Sequence, residues 1–100
     1  MIFDYDLTPR AARDIAAGRD WYESRELNLG DRFMDAVLQA VRRARENPER
    51  FSEVMAGIRA VGCRRFPYRV YYETLANRIV VRAVYHTSRD PNRWADEDRD

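Results

Sequence analysis

Between residues 33 and 44 the apolar side chains Phe33, Val37, Ala40, Val41 and Ala44 recur at intervals of four, three, one and three. That spacing places them on one face of a helix, a stripe that must be buried against something apolar. The helix opens after Asn28, Leu29 and Gly30, which interrupt the pattern. It ends at Asn47, because Pro48 pushes the residue before it out of the helical region. An earlier helix is predicted from Thr8, a good cap, and Pro9, suited to a first helical position, to about Glu26. Its small and apolar positions Ala11, Ala12, Ile15, Ala16 and Tyr22 fall mostly on one side, with Arg10, Arg13, Asp14, Asp20 and Glu23 mainly off it. The break between the two is too short for anything but an antiparallel hairpin. Trp21 and Phe51 are expected to be packing residues of this scaffold.

The rest of the chain follows a period of two. Residues 2–6 are short, aromatic and alternating, as in an edge strand. Residues 49–57 read as an irregular link with a turn near 48–52 and a flexible point at Gly57. From residue 59 three β-branched and aromatic runs follow, separated by Phe66 and Pro67 and then by Ala76 and Asn77, the pattern of an antiparallel meander. A two-residue turn at Ala76 and Asn77, with Asn77 at positive φ, sets Leu75 opposite Arg78. Glu73 then faces Val80, Tyr71 faces Arg82 and Arg69 faces Val84. One face would carry Tyr68, Val70, Tyr72, Ile79, Val81, Ala83 and Tyr85 and lie under the helices. The other would carry Arg69, Tyr71, Glu73, Val80, Arg82, Val84 and His86. A bulge at the Phe66 and Pro67 turn would shift the faces before it, so Arg59, Arg64 and Arg65 receive no face.

Length sets the scale: 100 residues make one domain, expected over 1–95, with an acidic, frayed tail at 96–100. Asp4 and Asp6 interrupt the first apolar residues, so no signal peptide is expected, and no apolar run is long enough for a membrane span. A cytoplasmic location is the default. One cysteine, Cys63, and one histidine, His86, leave no basis for an internal disulfide or a zinc site, and no metal or cofactor is expected. Charge is unevenly placed. Residues 59–95 carry eight arginines against Glu73 and Asp90, which is +6, whereas the whole chain is only +1. All 18 cationic residues are arginine, so every cation has a fork able to grip carboxylate or phosphate. A basic meander suggests an anionic partner.

Several positions together carry a resemblance. They are Ala12, Asp14, Ile15 and Tyr22 in the first helix; Leu29, Gly30, Arg32 and Phe33 opening the second; and Asn47 and Pro48 after it. Gly57, Ile58 and Arg59 follow, then Arg65, Phe66, Pro67 and Tyr68 with Tyr72, and a closing His86-x-x-Arg89-Asp90-Pro91-x-x-Trp94. In this order and at these spacings the chain resembles the RelE/ParE superfamily of bacterial toxins from type II toxin–antitoxin systems. The resemblance covers nearly all of it. It implies an α+β fold with an N-terminal strand and an antiparallel two-helix hairpin packed on a twisted, mainly antiparallel β-sheet. It also implies a cognate antitoxin whose segment wraps the toxin and masks its working surface.

Two activities are known in the superfamily: RelE-like members cleave ribosome-bound mRNA, and ParE-like members poison DNA gyrase. The expectation leans to the gyrase poison, with the mRNA endoribonuclease as alternative and a non-toxic binding homologue as a third class. Cleavage by a 2′-hydroxyl needs a base, a proton donor and cations for the phosphorane charge. By resemblance to RelE-like nucleases, His86 and Arg82 would be the catalytic pair, and Tyr71 or Tyr85 could stack on a base. Arg59, Arg65, Arg69, Tyr71, Arg82 and Arg89 are the candidate contacts to target or antitoxin. The plainer alternative is that His86, followed by Thr87, Ser88 and Arg89, caps a turn. A net charge of +1 is low for an RNA binder, whose affinity rests on phosphate contacts.

Overall fold

The computed structural model describes residues 2–89. Asp90, Pro91, Trp94 and the acidic tail 96–100 lie outside the described residues. The elements run β1 (Asp4–Leu7), α1 (Pro9–Glu23), α2 (Leu29–Glu46), a 3-10 turn (Pro48–Arg50), β2 (Glu53–Met55), β3 (Ile58–Gly62), β4 (Tyr68–Leu75) and β5 (Arg78–His86). The five strands form one sheet in the order β1-β5-β4-β3-β2. β1 lies parallel to β5, with Tyr5 beside Ile79, and the other neighbours are antiparallel. The α+β arrangement of strand, helix hairpin and sheet is as expected.

Local chemistry explains the two helices. The Thr8 hydroxyl accepts the Ala11 N–H at 3.1 Å, with Pro9 in the first position. Asn28 enters α2 in a left-handed conformation, φ 69°, and makes no side-chain cap. Glu23, the last residue of α1, does that work instead. Its carboxylate accepts the N–H of Asn28 at 3.0 Å and of Gly30 at 2.9 Å, an acidic group at a helix N-terminus. The helices approach so closely that a Cβ on Gly18 would sit 2.6 Å from the Phe33 ring, and one on Gly30 2.7 Å from the Arg19 carbonyl.

The α2 stripe is buried as predicted: Phe33, Val37, Ala40, Val41 and Ala44, joined by Ala11 and Ile15, pack on Val61, Val70, Tyr72, Ile79, Val81 and Val84. Truncating a fully buried ring such as Phe33 costs roughly 3–5 kcal/mol. On α1 the stripe is narrower than predicted. Ala11, Ile15 and Gly18 are buried, while Ala12 and Ala16 face solvent. Trp21 is not a packing residue. It is 52% exposed, with the Arg25 guanidinium 4.4 Å from its ring centre. Phe51 does pack on the core margin.

The link at 49–57 is more ordered than its sequence suggests. The Tyr72 hydroxyl donates to the Pro48 carbonyl at 2.6 Å, and β2 extends the sheet beside β3. At the hairpin turn Leu75 does face Arg78, but the positive φ belongs to Ala76, at 54°, and not to Asn77.

The largest departure is a β-bulge. Leu75, Thr74, Glu73 and Tyr72 pair with Arg78, Ile79, Val80 and Val81, yet Tyr71 pairs with Ala83, Val70 with Val84 and Arg69 with Tyr85. Arg82 is the extra residue, and beyond it every side chain of β5 changes face. Val84 therefore joins the core under the helices. Ala83 and Tyr85 turn to the open face, where they cluster with Ile58 and Tyr71. His86 lies on the helix side, against Tyr68. Among the described residues no helix is long and apolar enough to cross a membrane.

Candidate functional site

β1 ends at Leu7, so the outer edge of β5 beyond Val81 has no strand beside it. The start of α1 supplies the missing partners. Thr8 N–H donates to the Val81 carbonyl at 3.1 Å, the Thr8 hydroxyl to the Arg82 carbonyl at 3.2 Å, and Asp14 Oδ2 accepts the Val84 N–H at 3.0 Å. These bonds hold the bulge and satisfy an edge that would otherwise be exposed. Burial pushes the Asp14 carboxyl up from its ordinary value, outweighing the Val84 N–H and the Arg10, Arg89 and Arg13 charges that pull it down.

Where α1 leans away from β5 a cleft of about 430 Å³ opens, lined among others by Asp14, Ala17, Trp21, Tyr68, His86 and Arg89. Tyr68 meets His86 edge to face at 5.4 Å, and Trp21 meets Tyr22 the same way at 5.0 Å. His86 Nδ1 accepts the Ser88 N–H at 3.1 Å and lies 2.8 Å from the Ser88 hydroxyl. In the neutral ring the proton therefore sits on Nε2. Arg89 follows, its backbone N–H on the His86 carbonyl and its guanidinium 4.4 Å above the Tyr85 ring.

The residues predicted to act together are dispersed. Arg82 is on neither the His86 face nor one pleat from it; its guanidinium donates to Glu73 at 2.8 Å. Tyr71 is buried at 1% exposure against Tyr85, so neither ring is presented as an open platform. Arg59 is a strut: it donates to the Phe51 carbonyl at 2.6 Å and so anchors the link before β2. Arg69 is exposed on the open face opposite Tyr85. Arg65, at φ 69°, lies in the β3–β4 turn and lines a second cleft of about 800 Å³ beside α2, with Arg32, Arg64, Tyr22, Leu29 and Phe66. Arg78 pairs with Asp6. The basic charge of the meander is thus spread over turns, edge and both sides, not gathered on one face.

Asp14, Trp21, Arg32 and Arg64 line the clefts without having been singled out as site residues by the sequence. A signal was there for two of them: Arg10, Asp14, Ala17 and Trp21 repeat at four, three and four, one face of a helix. Burial pushes the Cys63 thiol up to about 11, away from the thiolate that is the reactive form. Among the described residues no three metal-ligating side chains come together.

Comparison with known proteins bears on this geometry. The family model described as "ParE toxin of type II toxin-antitoxin system, parDE" matches residues 5–91. Among solved structures, a chain described as "Chromosomal ParDE TA system from P. aeruginosa" superposes with a TM-score of 0.68 at 15% identity, covering 85% of this chain and 96% of that one. At that identity the likeness is one of fold. No curated protein matches by sequence.

Proposed function

Since the chain belongs to the ParE toxin family of type II toxin–antitoxin systems, we propose that it arrests growth by acting on DNA gyrase when free. In this reading a cognate antitoxin from the same operon neutralises it, in the cytoplasm where gyrase works. The observation that carries the choice of target is the separation of His86 and Arg82, the pair a nuclease would use. RNA cleavage needs a proton-transfer group and a phosphate-gripping cation on one surface. Here the bulge sends His86 to the helix side, its Nδ1 bonded to Ser88, while Arg82 is paired with Glu73. Poisoning a protein target requires no such pair.

For the antitoxin, the cleft rimmed by Arg32, Arg64 and Arg65 over Tyr22, Leu29 and Phe66 suits a segment with an apolar anchor flanked by Asp or Glu. Apolar burial would supply most of the affinity, and the arginine pairs the specificity and on-rate. Of the six candidate contacts, Arg65, Arg69 and Arg89 are exposed and so open to a partner.

The second reading, cleavage of ribosome-bound mRNA, is favoured by one observation: His86 shares a cleft with Arg89 and Asp14. Gyrase supercoiling and cleavage reactions run beside translating ribosomes with primer extension decide between them. We expect gyrase-dependent DNA breaks and an intact message; codon-positioned cuts with unaffected gyrase would overturn the choice of target. Normal growth under strong, soluble expression would count against toxicity altogether.

A further inference from the structure

We propose that the cleft between α1 and the end of β5 is a nucleobase site that takes the guanine ring of a nucleotide, a function separate from poisoning the target. Its size, about 430 Å³, falls in the range of ~300–1,000 Å³ usual for small-molecule pockets. Its walls are rings: Trp21 and Tyr22 on α1, Tyr68 and His86 on the sheet. Trp21 is the unusual member, since a half-exposed indole adds little to the core. Its ring is nevertheless held in place by Arg25 and by the edge contact with Tyr22. A positioned, half-open aromatic face is what base stacking uses.

The polar groups give the site its selectivity. Asp14 spends Oδ2 on the Val84 N–H and on Arg10, whose Nε lies 3.9 Å away; it lines the cleft, and its ionised carboxylate is an acceptor with no hydrogen to donate. His86, which lines the same cleft with its Nδ1 bonded to Ser88, offers Nε2–H as a donor. A carboxylate accepts from the N1–H and amino group that guanine carries on one edge; the O6 and N7 acceptors on another can receive from a donor such as Nε2–H or Arg89. Adenine lacks the ring N–H, and uracil and cytosine offer less ring to stack. The same chemistry is offered by a free nucleotide and by a base in a single RNA strand.

Calorimetric titration of the full-length chain with GMP, AMP, CMP and UMP tests this. GMP should bind saturably and more tightly than AMP. Trp21→Ala should weaken GMP by ~10-fold, in keeping with the loss of one stacked base contact. Ala17→Leu, which fills the cleft from an exposed α1 position, should abolish binding while leaving the thermal melt unchanged. Asp14→Asn keeps an acceptor for Val84 but turns an amino group toward the base. It should weaken GMP by about 10-fold or more and move the preference toward AMP, the pairing asparagine makes best. A guanine-containing single-stranded oligoribonucleotide that binds no better than GMP identifies a free nucleotide as the ligand; tighter binding identifies a strand, and in both cases the base is what is recognised. The proposal is overturned by absence of saturable GMP binding up to about 1 mM. It is equally overturned if Asp14→Asn and Ala17→Leu leave GMP affinity unchanged, or if inorganic phosphate displaces GMP, since the arginines alone would then hold it. None of these readouts depends on gyrase or on growth arrest.

Discussion

The carboxylate of Asp14, on α1, accepts the backbone N–H of Val84, on β5, at 3.0 Å. With the two bonds from Thr8 it closes the edge of a strand whose neighbour stops short, and it does so in a partly buried setting that bears on the acid's protonation. Burial raises the Asp14 carboxyl above its ordinary 3.8, so the folded chain holds that proton more tightly than the unfolded one. By linkage, the stability this group contributes is full below the unfolded value, is lost as pH rises through the raised folded value, and is flat beyond it. Asp14→Asn does not titrate and retains an acceptor. The melting temperature of the variant relative to the natural chain should therefore rise with pH through the window just above 3.8 and then level off. Asp14→Ala, which orphans the Val84 N–H, should destabilise at neutral pH by about 1–3 kcal/mol in urea titrations. A pH-independent difference between Asn and Asp would refute the burial account.

Glu23 should matter more than its exposed position suggests. It caps α2 from the end of α1 through two backbone N–H groups, in place of the side-chain cap that Asn28 does not make. Glu23→Ala should cost about 1 kcal/mol, the usual worth of a cap. Glu23→Gln keeps acceptor geometry without the charge and should recover about half of that. Equal stability of all three chains in denaturant would show that the hairpin is held by packing alone.

How much of this was legible in the sequence depends on where a residue's signal competes with another. The α2 stripe from Phe33 to Ala44 was plain, because a period of 3.6 with large apolar side chains has one reading. So was the register at Leu75 and Arg78, fixed by a two-residue turn. The bulge was not. Ile79, Val80, Val81, Ala83 and Val84 make a run with so few polar residues that alternation cannot say where the face changes. What decides it is tertiary: Thr8 and Asp14 claim the backbone of residues 81–84 from outside the strand. The same bulge dissolved the expected pairing of His86 with Arg82. Arg59 and Tyr71 looked like surface chemistry by type, yet one is a strut to the Phe51 carbonyl and the other is buried. Neither role leaves a trace in spacing.

Besides Asn28 between the helices, two turns of the sheet hold non-glycine residues in the left-handed region, Arg65 at φ 69° and Ala76 at φ 54°. Such a conformation costs an L-residue roughly 1–2 kcal/mol. Ala76→Gly should accordingly stabilise the chain by up to about 1 kcal/mol, offset in part by the freer unfolded chain. Arg65→Gly should do likewise for the fold while removing a guanidinium from the arginine-rimmed cleft beside α2. If that cleft receives the acidic antitoxin segment, Arg65→Gly yields a more stable protein with weaker, less salt-sensitive antitoxin binding. Unaltered affinity and salt dependence would move the antitoxin to another surface.

The remaining prediction separates a turn cap from a proton-transfer group at His86. Its Nδ1 receives the Ser88 N–H at 3.1 Å, a bond that an asparagine side chain can also make to the backbone two residues on. His86→Asn therefore preserves the turn that places Arg89 over Tyr85, yet it removes the imidazole that a proton-transfer role would need. If the chain poisons gyrase, His86→Asn should remain toxic, and gyrase-dependent DNA breaks should persist. His86→Ala should lose toxicity only to the extent that it loosens the turn and lowers the melting temperature. If the chain cleaves RNA, both variants should lose ~10²–10⁴ in rate, the usual contribution of a general acid or base, and His86→Asn should do so at unchanged stability. Arg82→Ala supplies the cross-check. Its guanidinium is paired with Glu73 at 2.8 Å, away from His86, so its loss should read out as lower stability with the target reaction intact. A fully stable His86→Asn chain that no longer arrests growth would make His86 a working residue and the nuclease the better reading.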